Sequence, residues 1–416
     1  MKVIFLTQYF PPEVGAPQNR LFATARSLRS RGADVTVLTA MPNYPEMRVH
    51  AGYRGRITAT EEMDGLHVLR AWILVSARRG IFLRLCNYFS FVFSSLVVGL
   101  FRLKRADVLL VESPPLFLGI TAMLLARAKG AKLVFNVSDL WPESAVQLGL
   151  VTNRSMIRLS ERLEMRCYRR SALITGQTQG IVRNIQHRCP DKRVVWIPNG
   201  VDFAAMAEAL TAPPDRSRLE VLGITSGDAV FAYAGILGHA QGLEVVLDAA
   251  ARLKHRPDIH FVLIGDGPER EHLRSRASAL GIDRVHFVDK MPRAPLIGLL
   301  REVDAVVVPL RRNDLFKGAI PSKIFEALAL AKPLLLGVEG EARDLFIGQG
   351  GAGLPFTPED PDDLARQAMH YADQRALMRE HGANGQRFVR AEFDRERISE
   401  RLWAELLRIT DTTVRP

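Results

Sequence analysis

Cysteine is scarce in this chain of 416 residues: Cys86, Cys167 and Cys189 are all it has. They form no Cys-x-x-Cys pair and have no histidine set at metal-ligand spacing, which disfavours a disulfide scaffold and a structural zinc centre. The start, MKVIFLTQYF, has one lysine before its apolar run. Gln8, Pro11 and Pro12 cut that run short without a small-residue cleavage site, so it reads as a strand rather than a signal peptide. Gly-x-Gly-x-x-Gly spacing is missing as well. Gly235, Gly238 and Gly242 do not give it, and Gly265, Asp266 and Gly267 fail because the sixth position is Arg270, which argues against a nicotinamide dehydrogenase. Without zinc-finger spacing, an RNP-type aromatic motif or a long basic run, nucleic acid is the weakest candidate partner.

Positive charge is present, and it is unevenly spread. Up to Phe203 there are 28 basic residues against 14 acidic, and beyond it 28 against 31. The first half is therefore built to meet something anionic, a phosphorylated substrate or an anionic bilayer. One stretch favours the bilayer. Ile81 to Phe101 has a single charge, Arg84, and is bracketed by Arg78 and Arg79 before and by Arg102, Lys104 and Arg105 after. Asn87, Ser90, Ser94 and Ser95 interrupt it, while Leu85, Phe89, Val92, Leu96 and Gly99 recur at helical spacing as if facing a core. The pattern suits an amphipathic helix on or partly in the inner leaflet, through residues about 78–105, better than a buried core helix, with a full span behind both.

Ordinary globular composition, 47% hydrophobic and 24% charged, and this length point to two domains. Strands are expected at Lys2–Thr7, Ala33–Thr39, His67–Ala71, Val108–Glu112, Lys132–Val137, Leu173–Gly176 and Arg193–Ile197, with helix-length segments between them. The pattern restarts after Pro198, Asn199 and Gly200. Strands are then expected at Val230–Gly235, His260–Gly265, Val285–Val288, Ala305–Pro309, Pro333–Gly337 and Gly353–Phe356. Such alternation means parallel sheets. The expected architecture is α/β: two doubly wound Rossmann-like domains, 1–200 and 201–390, facing each other across a cleft, with one long helical pattern from Ala391 to Ile409 packing back on the first.

Each half places glycines where a strand meets a helix, where backbone amides can hold an anion. In the first half this is PPEVGAPQNR, with Gly15 and Ala16 at the turn and Arg20 entering the helix. In the second it is AGILGHAQGLE, with Gly235, Gly238 and His239. The most informative segment runs from Lys317 to Phe346. There Pro321 and Ser322 open a helix carrying Lys323, suited to a diphosphate, and Glu326 one turn on, suited to both hydroxyls of a ribose. Gly340, Glu341 and Ala342 stand at the start of the next helix. Two carboxylates of the first half, Glu112 at a strand end and Asp139 ahead of Trp141 and Pro142, are acid or positioning candidates; Asp139 reads equally as a turn or cap residue.

These segments together resemble the retaining glycosyltransferases of the GT-B fold, group 1 (glycosyltransferase family 4). The resemblance covers essentially the whole chain, through PPEVGAPQNR, IPNGVD at 197–202, GDGPE at 265–269 and PSKIFEALALAKP. NVSDLWPESAVQLGL at 136–150 and GHAQGLE are similar to bacterial N-acetyl-fucosamine transferases of O-antigen and capsule assembly and to the colanic acid transferases grouped beside them. The resemblance implies retaining sugar transfer from a UDP-sugar to a lipid-linked glycan acceptor, without metal or cofactor, on the cytoplasmic side of the cell membrane. It implies donor binding by Gly235, Gly238, His239, Gly265, Arg312, Pro321, Ser322, Lys323, Glu326, Gly340, Glu341 and Ala342. Acceptor contacts would come from Gly15, Ala16, Arg20, Ser138 and Trp141, and catalytic roles fall to Asp139, Lys323 and Glu112. Three positions depart from the family pattern: Gly318 replaces a sugar-contacting glutamate, Ile236 and Gln241 replace a loop arginine and lysine, and Ser138 replaces a histidine. The rivals are an enzyme of the non-hydrolysing UDP-N-acetylglucosamine 2-epimerase type and a membrane-bound, non-catalytic scaffold.

Overall fold

A computed structural model describes residues 1–44, 47–76, 81–147, 149, 151–211 and 213–411. Arg78 and Arg79, Leu148 and Leu150 of the 136–150 motif, Ala212, and the end of the tail beyond 411 lie outside the described residues. The chain divides into two compact units, Met1–Asn199 joined by the chain from Arg395 onward, and Gly200–Asp394.

Unit 1 holds β1 (Lys2–Leu6), β2 (Asp34–Ala40), β3 (Thr58–Met63), β4 (Leu66–Ala71), β5 (Val108–Ser113), β6 (Lys132–Val137), β7 (Leu173–Gly176) and β8 (Val194–Trp196) in the order β3-β4-β2-β1-β5-β6-β7-β8. All pairs are parallel except β3 with β4. The sequence reading places no strand at β3, although its signal is present: Asp64 and Gly65, at φ 50° and 73°, form the two-residue turn that closes an antiparallel hairpin. Because β2 lies on one side of β1 and β5 on the other, the strand order reverses at β1/β5, which is where such sheets open a crevice beyond their strand ends.

The helix Ile81–Arg102 packs on this sheet with Phe91, Val92, Ser95 and Val98 buried. Gly99 permits the approach, since a Cβ there would stand 2.6 Å from Leu125 Cδ1. The expected inward set is off by a fraction of a turn: Phe89 is 44% exposed, although its ring lies 4.7 Å from that of Phe117. The polar residues that break the apolar run tie the helix to the segment after β4. Asn87 Nδ2 donates to Leu74 O (2.7 Å), Ser90 Oγ accepts from Leu74 N (2.9 Å), and Ser94 donates to Trp72 O. By length and composition Leu85–Arg102 could cross a membrane, but one face of it belongs to the core of unit 1.

Unit 2 holds β9 (Ala229–Ala234), β10 (Ile259–Ile264), β11 (Val285–Val288), β12 (Ala305–Pro309), β13 (Leu334–Gly337) and β14 (Gly353–Pro355), all parallel, in the order β11-β10-β9-β12-β13-β14. This is the doubly wound order with its reversal between β9 and β12. The single helix expected from Ala391 is not what the chain adopts. Helices Arg375–Glu392 and Arg395–Thr410 are separated at Phe393, which is fully buried among Phe325, Phe346 and Phe388. That anchor ends unit 2, and the second helix buries Ile398, Leu402 and Leu406 in the core of unit 1.

Candidate active site

At the end of β9 the backbone turns through Gly235, whose φ of +145° suits glycine, and Gly235 N donates to Ile264 O at 2.9 Å. The loop after β10 lies back to back with it. Leu237 N donates to Asp266 O and Glu269 N to Leu237 O, both at 3.0 Å. A Cβ on Gly265 would fall 1.9 Å from Gly235 O, and one on Gly267 2.3 Å from Leu237 O. The glycines of the GDGPE segment therefore serve this close approach.

Lys323, the first residue of helix Lys323–Ala329, reaches back into that turn. Its Nζ sits 3.4 Å from the centroid of the Tyr233 ring and 3.1 Å from where a Gly235 Cβ would be. Tyr233 is itself fixed, its hydroxyl donating to Ile236 O at 2.6 Å. No carboxylate among the described residues pairs with Lys323, and burial alone drives its pKa well below the usual lysine value. An amine held on a ring face, desolvated and without a counter-ion among the described residues, gains its proton most readily when an anion arrives, which makes it a receptor for one.

Glu326, one turn on, is half exposed and faces Arg293 at 3.4 Å, a neighbour the sequence did not suggest. Pro321 and Ser322 precede the helix, and the Ser322 side chain makes no capping bond. Arg312 follows β12 with its side chain exposed and its N–H donating to Glu359 (2.8 Å). Arg311, also missed, organises the loop carrying Gly238 and His239: it bonds His239 O (2.7 Å), Glu244 (2.9 Å) and Glu359 (3.2 Å). Glu244, Glu269 and His272 stand close enough together to share an ion, but Glu244 is already committed to Arg311. Gly340, at φ 73°, passes Lys317 O so closely that a Cβ would lie 2.3 Å from it; Glu341 and Ala342 follow, both buried.

In unit 1 the candidates converge at the β1/β5 reversal. Gly15 precedes the helix Ala16–Ser30, and Arg20, one turn in, donates to Glu112 Oε1 (2.6 Å) and Ser138 Oγ (3.1 Å). Ser138 Oγ also donates to Glu112, and Asn136 Nδ2 to its other oxygen. Thr175 donates to Asn136 Oδ1 at 2.6 Å. Gln177, with its amide oxygen turned to Arg20, accepts from that guanidinium at 2.6 to 3.1 Å. Glu112, Asn136 and Thr175 are register partners across β5, β6 and β7; a polar residue inside each of three apolar strands was the signal for them. Arg20, Glu112, Asn136 and Thr175 are all buried, so this is a closed network whose carboxylate oxygens are occupied. Asp139 is outside it, exposed, accepting from Ser144 Oγ at 2.7 Å. Trp141 packs its ring edge on Phe117, centroids 5.2 Å apart.

Comparison with known proteins agrees with this plan. The chain is similar over 96% of its length to the "Putative colanic acid biosynthesis glycosyl transferase WcaI" of Escherichia coli K12, at 24% identity and covering 98% of that protein. It is 29% identical to the "Probable glycosyltransferase WbjE" of Pseudomonas aeruginosa over 64% of this chain and 66% of that one. In fold it is similar to Anabaena HepE, solved in complex with UDP and glucose, with a TM-score of 0.68, 20% identity and coverage of 98% and 99%. The family model for the glycosyl transferase 4-like domain matches residues 15–200 and that for glycosyl transferases group 1 matches residues 216–388; with two parallel-sheet units of GT-B type, the chain belongs to the group 1 glycosyltransferases.

Proposed function

We propose that this glycosyltransferase moves a sugar, an N-acetylated deoxyhexosamine or one close to it, from a UDP-sugar to a polyprenyl-diphosphate-linked glycan in O-antigen, capsule or exopolysaccharide synthesis. The observation that carries the donor side is Lys323, an amine with no carboxylate partner among the described residues, seated against Gly235 at the β9 end of unit 2. It would take the diphosphate of UDP, with Arg312 and the amides of 235–238 and 340–342 sharing the charge and Glu326 accepting the ribose hydroxyls. The UDP complex of a structural neighbour and the polysaccharide names of the relatives support the same reading.

In the reaction the bond from the anomeric carbon to the β-phosphate oxygen breaks and a bond from the acceptor hydroxyl oxygen to that carbon forms on the same face, with retention. The hydroxyl proton passes to the departing diphosphate. Catalysis then rests on stabilising the negative charge that grows on the leaving group, a task for Lys323 and the amides. Asp139 orients the acceptor. No metal is needed where these groups balance the charge.

A lipid-linked acceptor accounts for the exposed apolar ridge of the Ile81–Arg102 helix, where Phe93 is 70% and Phe101 84% exposed. The enzyme would sit peripherally on the inner face of the cell membrane, Phe93 and Phe101 entering the acyl boundary beside Arg102, Lys104 and Arg105. The test is product analysis with radiolabelled UDP-sugars and membrane extract. Label in the lipid fraction is expected. Interconversion of the sugar nucleotide would replace this reading with an epimerase, and no turnover of any UDP-sugar with a thermal shift by none of them would leave only a scaffold.

A further inference from the structure

The helix Arg154–Arg170 begins at Asn153, whose Oδ1 accepts from Ser155 N (3.0 Å) and Met156 N (3.1 Å). It buries Ser160, Glu164, Cys167 and Tyr168. At 100° per residue those four centre on one side, and Arg154, Arg158, Arg162, Arg166, Arg169 and Arg170 centre on the opposite pole. All six arginines are exposed. None pairs with an acid among the described residues. Of the two acids on the helix, Glu164 is turned inward to Arg188 and Tyr168, which leaves Glu161 alone on the outer surface. A solvated helix face normally intersperses both signs; this one is a ridge of guanidinia.

Its position gives the ridge a meaning. The Arg154–Arg170 helix packs on Leu118–Lys129, which packs on Ile81–Arg102. One core cluster takes Cys167 and Tyr168 from the first, Leu118, Ala122 and Leu125 from the second, and Phe91, Val92 and Val98 from the third. The three helices thus form one layer on one face of the sheet. Its outer surface carries Phe89, Phe93, Val97 and Phe101 at four-residue spacing on one helix, Leu124 and Arg127 on the middle one, and the arginines on the third. Nucleic acid would satisfy the arginines and leave the phenylalanines in water. An anionic bilayer satisfies both, since guanidinium binds phosphate in a bidentate way and the rings enter the acyl boundary.

We propose that the Arg154–Arg170 helix is a docking element for anionic phospholipid, its guanidinia binding headgroup phosphates while the neighbouring helix supplies the apolar contact. This rests on the peripheral-membrane reading above and adds to it a lipid preference and a second helix. The test is flotation at about 0.15 M salt with phosphatidylcholine vesicles and with vesicles also containing phosphatidylglycerol. It compares wild type, the triple variant Arg158→Gln, Arg162→Gln, Arg166→Gln, and the double variant Phe93→Ser, Phe101→Ser. Wild type should prefer the anionic vesicles. The arginine variant should lose on the order of a hundredfold in partitioning to them while keeping its UDP-induced thermal shift, and the phenylalanine variant should weaken on both kinds of vesicle. Equal flotation of wild type on both vesicles keeps the peripheral reading and overturns this proposal, as does an arginine variant that retains the anionic preference. Wild type floating with neither overturns both. Loss of oligonucleotide binding with flotation unchanged would assign the ridge to nucleic acid instead.

Discussion

The two units keep their buried charges in opposite ways. In unit 1 Arg20 is neutralised by Glu112 and surrounded by Ser138 and Gln177; in unit 2 Lys323 has an aromatic ring and a glycine turn but no acid among the described residues. A paired and hydrogen-bonded ion holds a structure in place, because its attraction is already spent. An unpaired, desolvated one keeps that attraction for a ligand. On the proposed reading the donor phosphate goes to Lys323 of unit 2, and the polar network of unit 1 serves as a scaffold for whatever Asp139 and its surroundings contact.

The sharpest break in this contrast is at Glu112. Glu112→Ala strands the buried Arg20 guanidinium and should cost about 3–5 kcal/mol of stability, seen as a lower denaturant midpoint, while the UDP-induced thermal shift of the folded protein persists. If stability were unchanged and turnover abolished, Glu112 would be a catalytic carboxylate and the contrast would fail. Lys323→Ala should do the reverse, lowering kcat roughly 10²–10³-fold, as expected for one lost charge-stabilising donor, with little loss of stability. Glu326→Gln should act mainly on the KM for the donor, and equal activity of both variants with wild type would remove the donor assignment.

A smaller effect follows from the sign of the Lys323 shift. UDP favours the protonated amine, so binding takes up a proton and affinity falls as pH rises, by at most about tenfold per unit. Above about pH 7.5, past the second phosphate ionisation near 6, and below the alkaline ionisation of the uracil N3–H, the nucleotide's own charge is constant and titration calorimetry follows the lysine. Lys323→Arg should flatten the profile. In the free protein the sign is opposite: the unfolded chain binds this proton more tightly, so stability rises with pH.

The smallest expected effect lies at His260 and His286, stacked with Nδ1 and Nε2 3.0 Å apart and away from Lys323 in sequence and in role. Burial lowers both pKa values, that of His286 to about 4, despite Asp228 at 3.6 Å from His260. The unfolded imidazoles titrate near about 6.5, so stability is lost as pH falls from there toward 4. Replacing His286 by Gln should shallow that slope in a melting series, and an unchanged slope would show that the pair does not contribute to it.

Much of the fold was legible because strand–helix alternation and Asn199-Gly200 are local signals. The β3 strand was missed although Asp64-Gly65 announced it, because Thr58–Met63 lies at a sheet edge, half exposed and without the apolar run that marks the inner strands. Lys323, Glu326 and Gly235 were legible as types in suggestive places. That Lys323 would rest on Tyr233, that Glu326 would face Arg293, and that Glu112, Asn136 and Thr175 would align in register was not, since each joins groups dozens of residues apart.

The sequence by itself determined the two parallel-sheet units, the family, and the excess of positive charge in the first, because hydrophobic period, glycine placement and composition are properties of short segments. Only the tertiary structure decided which charges are spent and which are free. Arg20 and Lys323 look alike as basic residues entering a helix. One folds against a carboxylate and the other against a ring, and that difference in surroundings, through desolvation and pairing, sets what each cation can bind.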